Sequence, residues 1–370
     1  MAWITKTEAG RWKARYRVAG GQTRSRTWDR KVDAERWLRS ELAKRDRGKW
    51  VDPNLGRVTF GEWWHEWING RVNLEPTTRA RDDSVGRSLV LSTFENARLS
   101  EIQPADVRGW ISSLVAQGYA PNTVRKAYQL LSGALHSAVD DSIIGHNPAA
   151  RVKLPPLRNT EMRFLNVEEI SALVGAVPNH HRVLVLTAAY AGLRWAELAG
   201  LRVRRLNLLR RRLTIVETLV EVRGRVYFKE PKTTASRRTV TLPRFLCDEL
   251  ATHLARNPTE DLVFTSTKGT PLRRTNFRRR YWLPAVRSSV GEPMRFHDLR
   301  HTHTALLIAQ GEHPKVIQSR LGHASIRTTL DTYGHLFEGL DQGVADRLDE
   351  AAAPSPRPQR APEAIEFPSR

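Results

Sequence analysis

Residues 147–163, NPAARVKLPPLRNTEMR, are Pro-rich, basic and without hydrophobic periodicity. Proline lacks a backbone donor and biases the residue before it away from the helix, so no regular element is expected to run through such a stretch. A shorter break, DPNLGR at 52–57, has the same character. The two interruptions divide 370 residues, more than one typical domain holds, into segments with different patterns. The expectation is a multidomain α+β chain with a join after residue 55 and a linker over 151–163.

In residues 1–55, RWKARYRVA alternates Trp12, Ala14, Tyr16 and Val18 with Lys13, Arg15 and Arg17, the period of a half-buried strand. Gly20 and Gly21 mark a turn, and QTRSRTW reads as a second strand. DRKVDAERWLRSELAKRDRG follows as an amphipathic helix with Val32, Trp37 and Leu38 inward, stopped by Gly48. The segment holds 15 Lys and Arg against 7 Asp and Glu. A short sheet backed by one helix, with Lys13, Arg15, Arg17, Arg24 and Arg26 on its outer face, suits a DNA groove.

Residues 56–150 read as all-helical. Thr59 is expected to cap a helix carrying Trp63, Trp64 and Trp67, and Thr77 another running towards Leu91. Pro104 opens a helix with Val107, Ile111, Leu114 and Val115 apolar and Gly118 as its stop. Val124, Leu131, Leu135 and Val139 then recur at helical spacing. Residues 164–350 are mixed and mainly helical, with a small antiparallel sheet expected between Arg211 and Pro243. The Pro-rich tail, 351–370, is expected to be disordered.

Charge narrows the function. Lys and Arg total 60 against 39 Asp and Glu, a formal net charge of +21 and a pI near 10.9. Such a surplus points to a polyanion, nucleic acid above all. Membrane is the weaker alternative, because no apolar run approaches the roughly 18 residues a span requires. MAWITKTEAGRWKARYR lacks the apolar core of a signal peptide. The single Cys247 excludes an internal disulfide framework and a zinc finger, and suits a reducing cytoplasm.

Four stretches in residues 164–350 carry reactive side chains: AYAGLRWAELAGL with Arg194, KEPKTTASRRTVTLP with Lys232, RFHDLRHTHTALL with His297 and Arg300, and SRLGHASIRTTLDTYGH with His323 and Tyr333. Each has an ordinary structural explanation. Arg194 reads as a surface partner of Glu197. Tyr333 falls on an apolar stripe with Ile326 and Leu330, as a core aromatic would. His297, His301 and His303 lack the spacing of a metal site; only the first two share a helix face.

Together these residues supply what a metal-free attack on a phosphodiester needs. Arginine gives permanently charged, bidentate donors to phosphate oxygens, and two of them offset charge that builds in the transition state. A tyrosine hydroxyl, with pKa near 10, needs a neighbouring base. Lysine or histidine can protonate the leaving oxygen. No acidic cluster suggests a two-metal nuclease.

The stretch from AGLRWAEL to LDTYGHL closely resembles the catalytic domain of the tyrosine recombinase (phage integrase) family. Arg194 matches the first family arginine and Lys232 the β-turn lysine. His297 and Arg300 match the H-x-x-R pair, His323 the histidine of LGH, and Tyr333 the nucleophile. The order of the segments is similar too, implying an arm-type DNA-binding domain over 1–55, a helical SAM-like core-binding domain over 56–150 and a catalytic domain over 164–350. The resemblance implies site-specific cutting and rejoining of double-stranded DNA through a 3′-phosphotyrosyl link, without ATP, metal or other cofactor. Arm-type and core-type attachment sites, a homotetramer, a directionality factor and a host DNA-bending protein are the implied partners, in the cytoplasm of a bacterial host. Prophage integration is the leading role; a conjugative-element or transposon integrase and a type IB topoisomerase-like enzyme are the alternatives. Leu340, Val344 and Leu348 have helical spacing in a segment that suits docking on its own domain or on a neighbouring protomer. One departure is the basic RVRRLNLLRRR, where the family often has an acidic turn.

Overall fold

The computed structural model describes residues 2–17, 23–46, 55–157, 162–231, 233–259 and 261–337, with positions 345, 346, 348, 349 and 352. The chain is mainly helical with small antiparallel sheets, and it divides into two compact units, Met1–Asn159 and Thr160–Arg370.

The first unit begins with an antiparallel sheet in the order β1 (Ala2–Lys6), β2 (Trp12–Arg17) and β3 (Thr23–Trp28), packed against α1 (Lys31–Asp46). Strand β1 was not expected: every residue in it is exposed or half-buried, so it shows no hydrophobic alternation. The register pairs Trp3 with Arg15, Thr5 with Lys13, Ala14 with Arg26 and Tyr16 with Arg24. Directly opposed residues share a face. Lys13, Arg15 and Arg17 therefore lie on the outer face with Trp3, whereas Arg24 and Arg26 lie on the face of Ala14 and Tyr16. That corrects the expectation that all five basic residues point outward.

Ala14, Tyr16, Ala34 and Leu38 form the core of this sheet and helix, with Trp12, Trp28 and Trp37 packed on it. Val32 is exposed, not inward, because Ala34, Trp37 and Leu38 define the inner stripe of α1. Gly48, the expected stop, lies outside the described residues.

A second hydrophobic cluster in the same unit is helical. It is built from α2 (Phe60–Gly70), α3 (Pro76–Val85) running through a π-helical turn (Gly86–Leu91) into α4 (Ser92–Phe94), α5 (Pro104–Ala116) and α6 (Pro121–Asp140). Thr59 caps α2 reciprocally: Glu62 N donates to Thr59 Oγ1 at 3.2 Å, and Thr59 N to Glu62 Oε2 at 2.9 Å. The buried indoles are satisfied, Trp63 Nε1 donating to Ala134 O at 2.7 Å and Trp110 Nε1 to Leu89 O at 2.9 Å.

Three expectations change here. Thr77 is not a cap, since Pro76 opens α3 and Glu75 precedes it. Val115 is exposed while its neighbour Leu114 enters the core. The start of the 151–163 stretch is bound to the bundle rather than free of it. Val152 and Leu154 pack on the helical core, and Arg125 Nη2 donates to Pro155 O at 2.9 Å. An extended segment buries side chains without periodicity, so the sequence carries no sign of it.

The second unit runs α7 (Val167–Ala176), α8 (Asn179–Ala191), α9 (Trp195–Ala199), β4 (Leu206–Asn207), β5 (Arg212–Ile215), β6 (Thr218–Val222), β7 (Arg225–Lys229), β8 (Arg238–Thr241) and α10 (Arg244–Arg256). It continues with α11 (Arg274–Phe277), a π-helical turn (Arg278–Trp282), α12 (Leu283–Ser289), α13 (Asp298–Ala309), α14 (Pro314–Leu321) and α15 (Ile326–Tyr333). Strands β4, β5 and β8 form one sheet and β6 and β7 a separate hairpin; β5 to β8 fall within the expected span, and β4 lies just before it. Helix α13 packs along α8, with Leu184, Val185, Ala188 and Leu299 in the core. Leu340 and Val344 lie outside the described residues, and Leu348 is exposed. Among the described residues no helix is long and apolar enough to cross a membrane.

Candidate active site

Helix α8 ends at Gly192, whose φ of +67° is left-handed. A Cβ at that position would stand 2.4 Å from His303 Cδ2, so the turn closes on α13 only because no side chain is present. The turn delivers Arg194 to the N-cap of α9. Its backbone N donates to Glu197 Oε2 at 2.8 Å and its Nη1 to Glu197 Oε1 at 2.9 Å.

Glu197 is 2% exposed, so the pairing is not the surface bridge the sequence suggested. Arg238, from β8, adds Nη1 to Oε1 at 2.9 Å and Nη2 to Oε2 at 3.0 Å, and its Nε donates to Arg320 O at 2.7 Å. Burial pushes the Glu197 carboxyl up, but Arg238, Arg194 and Arg300 outweigh it and hold the pKa at about 2.

Arg300, on α13, is 2% exposed. Its Nη1 donates to Gly192 O and its Nη2 to Leu321 O, both at 2.5 Å, which fixes the plane of the guanidinium between the end of α8 and the end of α14. Burial, then the charge of Arg194, lowers its pKa to about 9. His297 is the N-cap of α13, with its ring edge-on to His301 at 5.1 Å. His323 follows Gly322, and its Nδ1 lies 2.9 Å from Thr329 Oγ1. Burial depresses both rings to about 4, helped at His297 by His301 and Arg300 and at His323 by Arg300 and Arg194. Both are neutral at pH 7.

Tyr333 ends α15 and is 2% exposed, packed with Ile308, Ile317 and Leu321. The expected stripe is corrected: Ile326 and Leu330 are exposed, and the buried face of α15 is Thr329 and Tyr333, one turn apart. The hydroxyl lies 2.7 Å from His301 Nδ1. Burial raises its pKa above the usual value, with Thr304 and Arg300 pulling the other way.

Five of the six residues matched from sequence thus converge: Arg194, His297, Arg300, His323 and Tyr333. Lys232 lies outside the described residues. Sequence reasoning missed the parts that hold the site together, namely His301 against Tyr333, Arg238 against Glu197, and His303. The last is a structural histidine: Nδ1 stands 3.1 Å from Ala189 O, Nε2 accepts from Arg320 Nε at 2.9 Å, and burial depresses its pKa to about 3. Among the described residues no group of three His, Cys, Asp or Glu is placed to hold a metal ion. The site is a largely buried cluster of arginines whose neighbouring histidines are uncharged, an environment that favours an anion.

Two family models match the chain: the phage integrase family over residues 163–339, and the phage integrase N-terminal SAM-like domain over 59–115. The chain belongs to the phage integrase family, the tyrosine recombinases.

Among relatives, a putative prophage phiRv2 integrase of Mycobacterium tuberculosis is 29% identical over 369 residues, covering 94% of this chain and 95% of the relative. The ICEBs1 integrase of Bacillus subtilis is 28% identical over 270 residues, 70% of this chain and 73% of the relative. Among solved structures, the Tn1549 transposon integrase in complex with transposon right-end DNA shares the fold, with a TM-score of 0.66 and 20% identity over 79% of this chain and all (100%) of that one. A lambda integrase tetramer bound to a Holliday junction has a TM-score of 0.58 and 17% identity, over 87% of this chain and 95% of that one.

Proposed function

We propose that this chain is a site-specific recombinase that integrates and excises a prophage or similar mobile element. Tyr333 attacks a backbone phosphate, forming a 3′-phosphotyrosyl link and releasing a 5′-hydroxyl. Arg194 and Arg300 grip the non-bridging oxygens; the two backbone bonds of Arg300 take two of its five donors. Lys232 protonates the leaving 5′-oxygen, and the neutral His297 and His323 orient the phosphate. The energy of the broken bond stays in the link, so the 5′-hydroxyl of a partner strand reverses the step without ATP.

In this reading residues 1–55 hold arm-type sites through the outer face of Trp3, Lys13, Arg15 and Arg17, with Arg24 and Arg26 contributing from the other face. Residues 56–150 hold core-type sites. Four protomers act together on two duplexes, with a directionality factor and a host DNA-bending protein as accessory partners in the bacterial cytoplasm.

The observation that carries the reading is the placing of the Tyr333 hydroxyl in a buried cluster with Arg300, beside Arg194. The test is incubation with a nicked, end-labelled duplex carrying the junction that flanks the gene. A covalent adduct is expected on a denaturing gel, lost in Tyr333→Phe, together with exchanged products when two sites are supplied. An adduct that persists in Tyr333→Phe contradicts the reading. Relaxation of supercoils without exchange contradicts recombination.

A further inference from the structure

We infer that His301 is the proton acceptor for the Tyr333 hydroxyl. This role rests on the function just proposed and falls to a residue that the family-matched set leaves out.

A tyrosine with an ordinary pKa is ionised in only about one molecule per thousand at pH 7, and burial of Tyr333 lowers that fraction further. A base must therefore lie within hydrogen-bond reach. His301 Nδ1 does, at 2.7 Å from Oη. His323 turns its Nδ1 to Thr329 Oγ1 at 2.9 Å and the His297 ring lies edge-on to His301, which leaves His301 as the ring in hydrogen-bond contact with Oη. His301 and Tyr333 lie on separate helices, α13 and α15, and Tyr333 packs on Ile308, Ile317 and Leu321, so the pair is held by tertiary structure.

The step balances. With the neutral ring protonated on Nε2, Nδ1 accepts the hydrogen bond and takes the proton as the Tyr333 O–P bond forms and the 5′-oxygen–phosphorus bond breaks. The imidazolium holds that proton through the transfer step. It returns it to Oη when the incoming 5′-hydroxyl displaces the tyrosine. Burial holds the His301 pKa below the ordinary value, and Arg295 and Arg300 act in the same sense, so the ring starts as a free base. Asp298, on the same helix, acts in the opposite sense and stabilises the imidazolium once formed. His297 packs on the ring, and His323 feels its charge.

The test uses His301→Asn in the full chain, because the amide oxygen of asparagine takes the place of Nδ1, keeps the hydrogen bond and cannot hold the proton. Single-turnover formation of the covalent adduct on the nicked junction duplex is followed against pH. The variant is expected to be about 10²–10⁴-fold slower near pH 7. Its rate should climb about tenfold per pH unit towards the tyrosine range, where the wild-type rate is level. A duplex with a bridging 5′-sulfur, whose leaving group needs no proton, should not restore it. His301→Gln carries the same expectation with a different reach, so misfolding of one variant leaves the other to decide. A variant within threefold of wild type at pH 7 overturns the inference while leaving the recombinase reading intact. Rescue by the bridging sulfur also overturns it, by moving His301 to the leaving-group side. If the wild type forms no adduct, both readings fall.

Discussion

Arg238 and Glu197 meet as a doubly hydrogen-bonded ion pair, Nη1 to Oε1 at 2.9 Å and Nη2 to Oε2 at 3.0 Å, with side chains 6% and 2% exposed. The same carboxylate receives the backbone N and Nη1 of Arg194. A strand residue thus fixes, through one buried glutamate, the arginine at the N-terminus of α9. Planar guanidinium forks make this geometry specific in a way a lysine cannot reproduce.

Glu197→Gln should leave the buried Arg238 with uncompensated charge and Arg194 without its partner. The expected loss is about 3–5 kcal/mol in denaturant unfolding, and adduct formation should fall as Arg194 loses its anchor. Arg238→Lys should reproduce part of both effects. A loss below about 1 kcal/mol for Glu197→Gln, the scale of an exposed pair, contradicts the buried network.

Gly192→Ala should cost more than the left-handed backbone alone demands. That demand is about 1–2 kcal/mol, and the new Cβ would also press on His303 Cδ2 from 2.4 Å. Gly224→Ala is the control, since its φ is +79° but the nearest atom to a Cβ there is 4.0 Å away. Thermal unfolding should show the larger drop at Gly192. Equal drops would mean that the close approach to His303 is not rigid.

Acid should destabilise the second unit from just below neutrality. His181 and His303 are buried, with pKa values near 4 and near 3 against an ordinary 6.5; the causes are burial first, then His180 and His253 for the one and Arg320 for the other. The unfolded chain binds protons that the folded chain refuses, so their stabilising contribution is full above pH 6.5 and falls as pH drops towards 4. Glu197, held near 2, adds a loss of the same sign below about 4.5. Denaturant unfolding should weaken by on the order of a few kcal/mol between pH 7 and 5. A flat or rising stability over that range contradicts the burial of these rings.

The reactive side chains were legible in the sequence because their chemistry is local: Arg194 sits at a helix start after a glycine, and His297 and Arg300 are three residues apart on one helix. Their supports were not legible. The hydrogen bond of His301 with Tyr333 joins α13 to α15, and the ion pair of Arg238 with Glu197 joins β8 to α9; neither spacing carries a signal. Tyr333 shows the same limit from the other side, since the apolar residues of α15 face outward and the buried face is a threonine and the tyrosine. In the N-terminal sheet the alternation in β2 was plain. That in β3 was misassigned, because cross-strand register, not the period alone, decides which face Arg24 and Arg26 occupy.

Removal of residues 1–55 should weaken binding to arm-type DNA and flatten its salt dependence. If Lys13, Arg15 and Arg17 each neutralise a phosphate, the slope of log K against log salt should fall by about 0.9 for every phosphate that is no longer neutralised. Binding of core-type DNA should change little. An unchanged arm-site affinity and slope contradict the assignment of that sheet to DNA.

The most direct measurement is to map the covalent link itself. The adduct formed on the nicked junction duplex is digested with trypsin and nuclease, and the modified peptide is sequenced by mass spectrometry. The account requires a nucleotide joined through its 3′-phosphate to Tyr333, in the peptide that follows Arg327, and a free 5′-hydroxyl on the released strand. A link to any other residue, or a 5′-phosphoryl attachment, contradicts it.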